Sequence, residues 1–208
     1  MKRALILDLD NTIYPVSSIA ENIFPPIFKW LDENSDGMDP GDLSKAKDEL
    51  THRHYHLVAD KYNFSPTLRI KGINLLKELS YELPMKPFED YQHIRTSGLT
   101  KFLVTTGFTK LQWSKVKMLD IEADFAEIHI GDPEISNQTK KDVFADILKR
   151  HQYSADEVLV IGDDPESEIK AATDLGIETF LFDPGNIHAE AFATYKSGKL
   201  AEVATVLW

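Results

Sequence analysis

Asp8 and Asp10 stand two residues apart at the end of the apolar run Ala4-Leu5-Ile6-Leu7. If that run is a strand, side chains alternate along it, and acids at this spacing point to the same side. Adjacent carboxylates repel unless something positive offsets them. A hard divalent cation, magnesium above all, does so through oxygen ligands. Held in that way, one carboxylate can attack phosphorus while the other moves protons. Asn11 and Thr12 follow, and Asp and Asn are also frequent in ordinary turns after strands, so the pair needs company before it reads as chemistry.

Three further segments supply that company. Phe102-Leu103-Val104 runs into Thr105-Thr106-Gly107, where a hydroxyl and nearby backbone N–H groups can hold a phosphate oxygen, although a plain strand-to-helix turn looks the same. Lys140 and Lys141 open a helical pattern. An ammonium there can neutralise nucleophile and phosphate together, and lysines at that end oppose the helix dipole. Surface solvation is the ordinary alternative. Val158-Leu159-Val160-Ile161 enters Gly162-Asp163-Asp164 and then a helix bearing Glu168. Asp163 reaches the cation of Asp8 if the two strands are neighbours. Acids also suit a helix start in their own right.

The elements that must position these groups follow from the apolar pattern. Strand-length apolar runs cover residues 4–9, 102–105, 126–130, 158–161 and 179–182, the continuous kind found in sheets covered on both faces. Helical patterns cover 110–119, 140–151 and 166–175. The second begins with Thr139 and Asp142 in capping-box spacing, and the third is closed by Gly176. This alternation predicts an α/β core with a doubly wound, Rossmann-like parallel sheet, whose carboxyl edge is where such folds bind ligands. Residues 14–99 differ: strand-like runs are almost absent, helical patterns fit 20–31, 43–62 and 67–79, and 34–41 is a loop by composition. The expected organisation is a core of residues 1–13 and 100–208 with an inserted all-helical cap of residues 14–99.

Composition narrows the chemistry. The formal net charge of −11 argues against a nucleic-acid role but leaves room for a small phosphorylated metabolite in a locally positive pocket. The 208 residues include no cysteine, which excludes disulfides, thiolate metal sites and cysteine nucleophiles. The apolar stretch after Met1-Lys2-Arg3 is short for a signal peptide and is interrupted by Asp8 and Asp10, and no run is long enough to cross a membrane, so a cytoplasmic protein is expected.

These motifs, in this order, resemble the haloacid dehalogenase superfamily: Asp8-Leu9-Asp10-Asn11-Thr12 the first, Thr105 the second, Lys140 the third, and Gly162-Asp163 through Glu168 the fourth. The resemblance implies a phosphatase. Asp8 would be the nucleophile that forms an aspartyl-phosphate. Asp10 would protonate the leaving group and then activate water, with Thr12 supporting its turn. Thr12, Thr105, Thr106 and Gly107 would surround the substrate, and Lys140, preferred over Lys141, would hold nucleophile and phosphate. Mg2+ would be bound by Asp8, Asp10 and Asp163. Family members often carry Asn where Thr106 stands and Asp where Glu168 stands, and Asp164 is the alternative second acid. Dehalogenases of the family lack an acid at the position of Asp10. The opening through Ile13-Tyr14 is similar to the pyrimidine 5′-nucleotidase-like branch, which implies a nucleoside 5′-monophosphate. A phosphotransferase or mutase, or a catalytically inactive binding protein, is the competing expectation. His52, His54 and His56 are a further cluster, with His52 and His56 at metal-ligand spacing on a helix or simply solvated. Arg53, Arg69 and Lys71 are candidates for an anionic substrate.

Overall fold

The computed structural model describes residues 1–51, 53 and 55–207; His52 and His54 lie outside them. In chain order the elements are β1 (Ala4–Leu7), α1 (Ala20–Ile23), α2 (Pro25–Asn34), α3 (Pro40–Leu50), α4 (Tyr55–Lys61), α5 (Pro66–Glu78), α6 (Tyr91–Arg95), β2 (Thr100–Thr106), α7 (Thr109–Met118), β3 (Glu127–Gly131), α8 (Lys140–His151), β4 (Val158–Gly162), α9 (Lys170–Thr173), β5 (Glu178–Phe182) and β6 (Tyr195–Ser197). The strands form one six-stranded sheet in the order β3-β2-β1-β4-β5-β6, with every pair parallel.

Strand alternation builds the two layers. Leu5, Leu7, Leu103, Leu159 and Ile161 feed one apolar cluster, while Ala4, Ile6, Phe102, Val104 and Val160 feed the other. Because both faces are covered, the strands read as continuous apolar runs instead of alternating ones. β6 is the strand the apolar pattern does not announce: Tyr195-Lys196-Ser197 is a partly exposed edge and needs no apolar run.

The helical stretches break where the backbone demands it. The 20–31 pattern becomes α1 and α2, with Pro25 at the start of α2, where its missing N–H costs nothing. The 43–62 pattern becomes α3 and α4. Thr139 and Asp142 form a reciprocal capping box on α8. The 166–175 pattern opens with a π-helical turn, Pro165–Ile169, before α9, and Gly176 ends it in the left-handed region at φ 72°.

α2 to α5 enclose a third apolar cluster of their own, which includes Ile27, Leu31, Ala46, Val58, Phe64 and Leu68. Tyr81, Met85, Tyr91 and Ile94, later in the 14–99 segment, instead join the cluster on the sheet.

Candidate active site

β1 lies between β2 and β4, with Leu7 level with Leu103 on one side and Ile161 on the other. This is the point where the strand order reverses, so the crevice at the strand ends opens here. Asp8 is the next residue, and its backbone N–H donates to the carbonyl of Ile161 at 3.0 Å. The turn then passes through Asn11 at φ 55°, a left-handed conformation that Asn tolerates, and the Asn11 side chain accepts from the Val16 N–H.

The buried Asp8 carboxylate accepts from Lys140 Nζ at 2.6 Å, and the same ammonium donates to Glu168 at 2.7 Å. Lys141 points away and pairs with Asp174 on the surface. Glu168 is buried, and its second oxygen accepts from the Asp164 N–H at 2.8 Å. Gly162 makes this possible: a Cβ there would collide with the Glu168 side chain. Burial pushes the Asp8 carboxyl upward, and Glu168 and Asp10 push the same way against the pull of Lys140. Burial also opposes the Lys140 charge, but the Asp8 and Glu168 carboxylates outweigh it and raise that group. Asp163, the acid after β4, is likewise raised, by burial and then by Asp8 and Glu168. Thr12 is fully buried, and its hydroxyl donates to Asp163 at 3.2 Å, so it braces an acid from behind.

Asp10 has a separate retinue. Lys115 Nζ lies 2.8 and 3.0 Å from its two oxygens, Gln112 Nε2 donates to it at 3.1 Å, and the Tyr14 hydroxyl donates as well. Burial raises the Asp10 carboxyl, but the Lys115 charge and these hydrogen bonds outweigh it, leaving the group below its ordinary range. Gln112 also donates to the Thr105 hydroxyl at 2.8 Å and to the Thr106 carbonyl at 3.2 Å. Gly107, at φ 153°, leaves room for it: a Cβ there would sit 3.1 Å from the glutamine chain, and the Gly107 N–H donates to the carbonyl of Gly131. Lys115, Gln112 and Tyr14 are the functional candidates that the motif spacing passes over. Their signal is in the sequence all the same: Gln112 and Lys115 interrupt the helix face that also carries Val116 and Leu119, and all four are buried.

These groups share one cavity of about 730 Å3, whose polar end holds Asp8, Asp10, Thr105, Thr106, Gly107, Lys140 and Asp163. The rest of the lining comes largely from the helical segment and is mostly apolar, with Val16, Phe24, Ile73 and Leu76 half-buried there beside Thr51, Arg53 and His56. Arg53 lines the rim and pairs with Glu49, whereas Arg69 is tied to Asp60 and to the carbonyls of Ala59 and Phe64. The donor chemistry fits a magnesium ion. Asp8, Asp163 and Glu168 crowd one lysine, so three acids share a single ammonium, a donor set that a divalent cation would relieve. Among the described residues no three of His, Asp or Glu form a ready-made cage, and magnesium typically takes one or two carboxylates and keeps its water.

Known proteins share this architecture and sequence pattern. Residues 2–176 match the haloacid dehalogenase-like hydrolase family. The chain belongs to that family. A glyceraldehyde 3-phosphate phosphatase of Pyrococcus furiosus is 27% identical over 93% of this chain and 85% of its own length. An enolase-phosphatase of Aquifex aeolicus is 25% identical over 86% and 88%. Among solved structures, a HAD-hydrolase of Bacillus subtilis bound to magnesium, in which interdomain movement is described, superimposes with a TM-score of 0.68 at 19% identity, covering 99% of this chain and 98% of that one. The protein is thus a hydrolase of the phosphatase kind within the haloacid dehalogenase fold. Among the described residues no helix is long and apolar enough to cross a membrane.

Proposed function

We propose that this enzyme is a magnesium-dependent phosphatase that cleaves a small phosphate monoester through an aspartyl-phosphate on Asp8. The observation that carries this reading is the pairing of the two acids after β1 each with its own lysine, Asp8 with Lys140 and Asp10 with Lys115, inside one cavity. The ester's phosphoryl group sits between Asp8, the Thr105 hydroxyl and Lys140. An Asp8 oxygen attacks phosphorus as the ester P–O bond breaks, and Asp10, ionised beside Lys115 in the free enzyme and protonated on formation of the substrate complex, delivers that proton to the departing oxygen. In the second half Asp10 takes a proton from water, whose oxygen attacks the phosphorus, and the bond to Asp8 breaks to release phosphate. Lys140 holds the nucleophile and offsets the phosphoryl charge. A magnesium ion held by the carboxylates of Asp8 and Asp163 and the Asp10 carbonyl supplies further charge stabilisation when bound.

The helical segment of residues 14–99 acts in this reading as a cap that closes over the site and excludes water. Its apolar wall and the cavity volume favour a leaving group larger than a triose, carrying an apolar or planar face, and a nucleoside 5′-monophosphate is the first such substrate to test. A phosphate-release assay across nucleoside monophosphates, sugar phosphates and triose phosphates identifies the class. Asp8→Asn and EDTA each abolish release, and quenched wild-type enzyme carries covalent phosphate on Asp8 by mass spectrometry. Full activity of Asp8→Asn excludes the mechanism.

A further inference from the structure

A buried charge on α7 needs a reason to be there. Lys115 is buried beneath the first catalytic turn, and a buried lysine is tolerated only when paired. Its partner is Asp10, with both oxygens in contact, and its ammonium also lies 5.9 Å from the centre of the Tyr14 ring. Stability does not account for the pair. Buried ion pairs are commonly no better than apolar residues of the same size, and Val116 and Leu119 show that this helix face packs apolar side chains. One turn earlier, Gln112 spends its amide on three acceptors, the Asp10 carboxylate, the Thr105 hydroxyl and the Thr106 carbonyl. Its Oε1 is a fully buried acceptor that finds no hydrogen-bond partner among the described residues. A buried polar atom left in that state costs free energy, so packing of the helix alone does not explain the glutamine.

Resting on the phosphatase reading above, we propose that Lys115 and Gln112 are positioning residues that lock the acid–base carboxylate of Asp10 to the phosphoryl-binding Thr105. Lys115 grips Asp10 from below and fixes the direction of its oxygens. Gln112 ties the leaving-group side of the site, at Asp10, to the phosphoryl side, at Thr105. Tyr14 completes the grip from the following turn, where Asp10 and Tyr14 form a backbone bridge. A shift of either side is then felt by the other, which keeps the proton donor in line with the ester oxygen. That alignment matters when the departing oxygen is basic and hardly at all when it is already a good leaving group.

The test compares two esters, an alkyl phosphate and p-nitrophenyl phosphate. Proton delivery limits the first far more than the second. Lys115→Met is expected to lose about 10²-fold in kcat on the alkyl ester and less than about tenfold on the aryl ester, the scale of a misdirected general acid. Lys115→Arg, which keeps charge and donors, restores most of the alkyl activity. Gln112→Met lowers kcat on the alkyl ester and raises KM on both, because Thr105 loses its partner. Since Lys115→Met leaves the half-buried Asp10 without its ammonium partner, the double variant Asp10→Asn with Lys115→Met guards against misfolding. Once Asp10→Asn is present, adding Lys115→Met leaves the alkyl-to-aryl ratio unchanged. Equal losses on the two esters in a folded Lys115→Met overturn the proposal, as does a further change of the ratio in the double variant. If Asp8→Asn stays active, the phosphatase mechanism itself fails. If Asp8→Asn is dead, Asp10→Asn discriminates between the esters and Lys115→Met does not, only the positioning role fails.

Discussion

The two walls of the cavity are built on opposite plans. On the sheet side the functional groups are buried or half-buried, and each is held by at least one charged or hydrogen-bonding neighbour: Asp8 by Lys140, Lys140 by Glu168, Asp10 by Lys115 and Gln112, Asp163 by Thr12. On the helical side the lining is mostly apolar, with Arg53 and its partner Glu49 as the exception, and other ion pairs, such as Lys61 with Glu49 and Lys47 with Asp32, lie toward solvent. Buried polar networks tolerate little displacement, because each group left unpaired costs its full desolvation. Apolar surface is non-directional and accepts many shapes. The sheet side is therefore where chemistry is fixed, and the helical side is where substrates differ.

The contrast can be broken from the sheet side with one methyl group. Gly162→Ala drives a Cβ into the buried Glu168, so overpacking is expected to cost about 1–3 kcal/mol by urea denaturation. It also displaces the partner of Lys140, and kcat falls for every ester alike. On the helical side, Ile73→Asn leaves hydrolysis of the smallest esters near wild type and raises KM several-fold for those with a bulky apolar leaving group. Equal effects of both substitutions on all esters would erase the distinction between the walls.

The smallest effect is expected from acid. Three donors surround Glu49: the Lys61 side chain, first in weight, then Tyr62 and Arg53, and they hold its carboxyl down at about 2. A depressed carboxyl stabilises the fold above its unfolded value, near 4.5, and that contribution is lost as the pH falls toward 2. Glu49→Gln is therefore slightly less stable than wild type at neutral pH, and the gap closes as the pH falls through that window. Thermal melts at several pH values measure it. A gap that stays constant with pH would place the effect elsewhere.

Much of this was legible in the chain because the signals are local. The apolar runs, their bounding Gly and Asp residues and the Thr139–Asp142 box depend on neighbours within a few residues, and the five runs became β1 to β5. β6 was not legible, because an edge strand of Tyr195-Lys196-Ser197 has no face to bury. Nor did the 166–175 pattern disclose its opening π turn, which aims Glu168 inward at Lys140.

What the sequence determined by itself is that acids, hydroxyls and a lysine stand at strand ends and helix starts, since spacing and strand alternation require nothing from afar. The tertiary structure alone decided the partnerships. Lys140 and not Lys141 reaches Asp8 across 132 positions of chain, and Lys115 reaches Asp10 across 105. Such pairs depend on which strands lie side by side and which helix face turns inward, and those are settled by packing the whole chain at once.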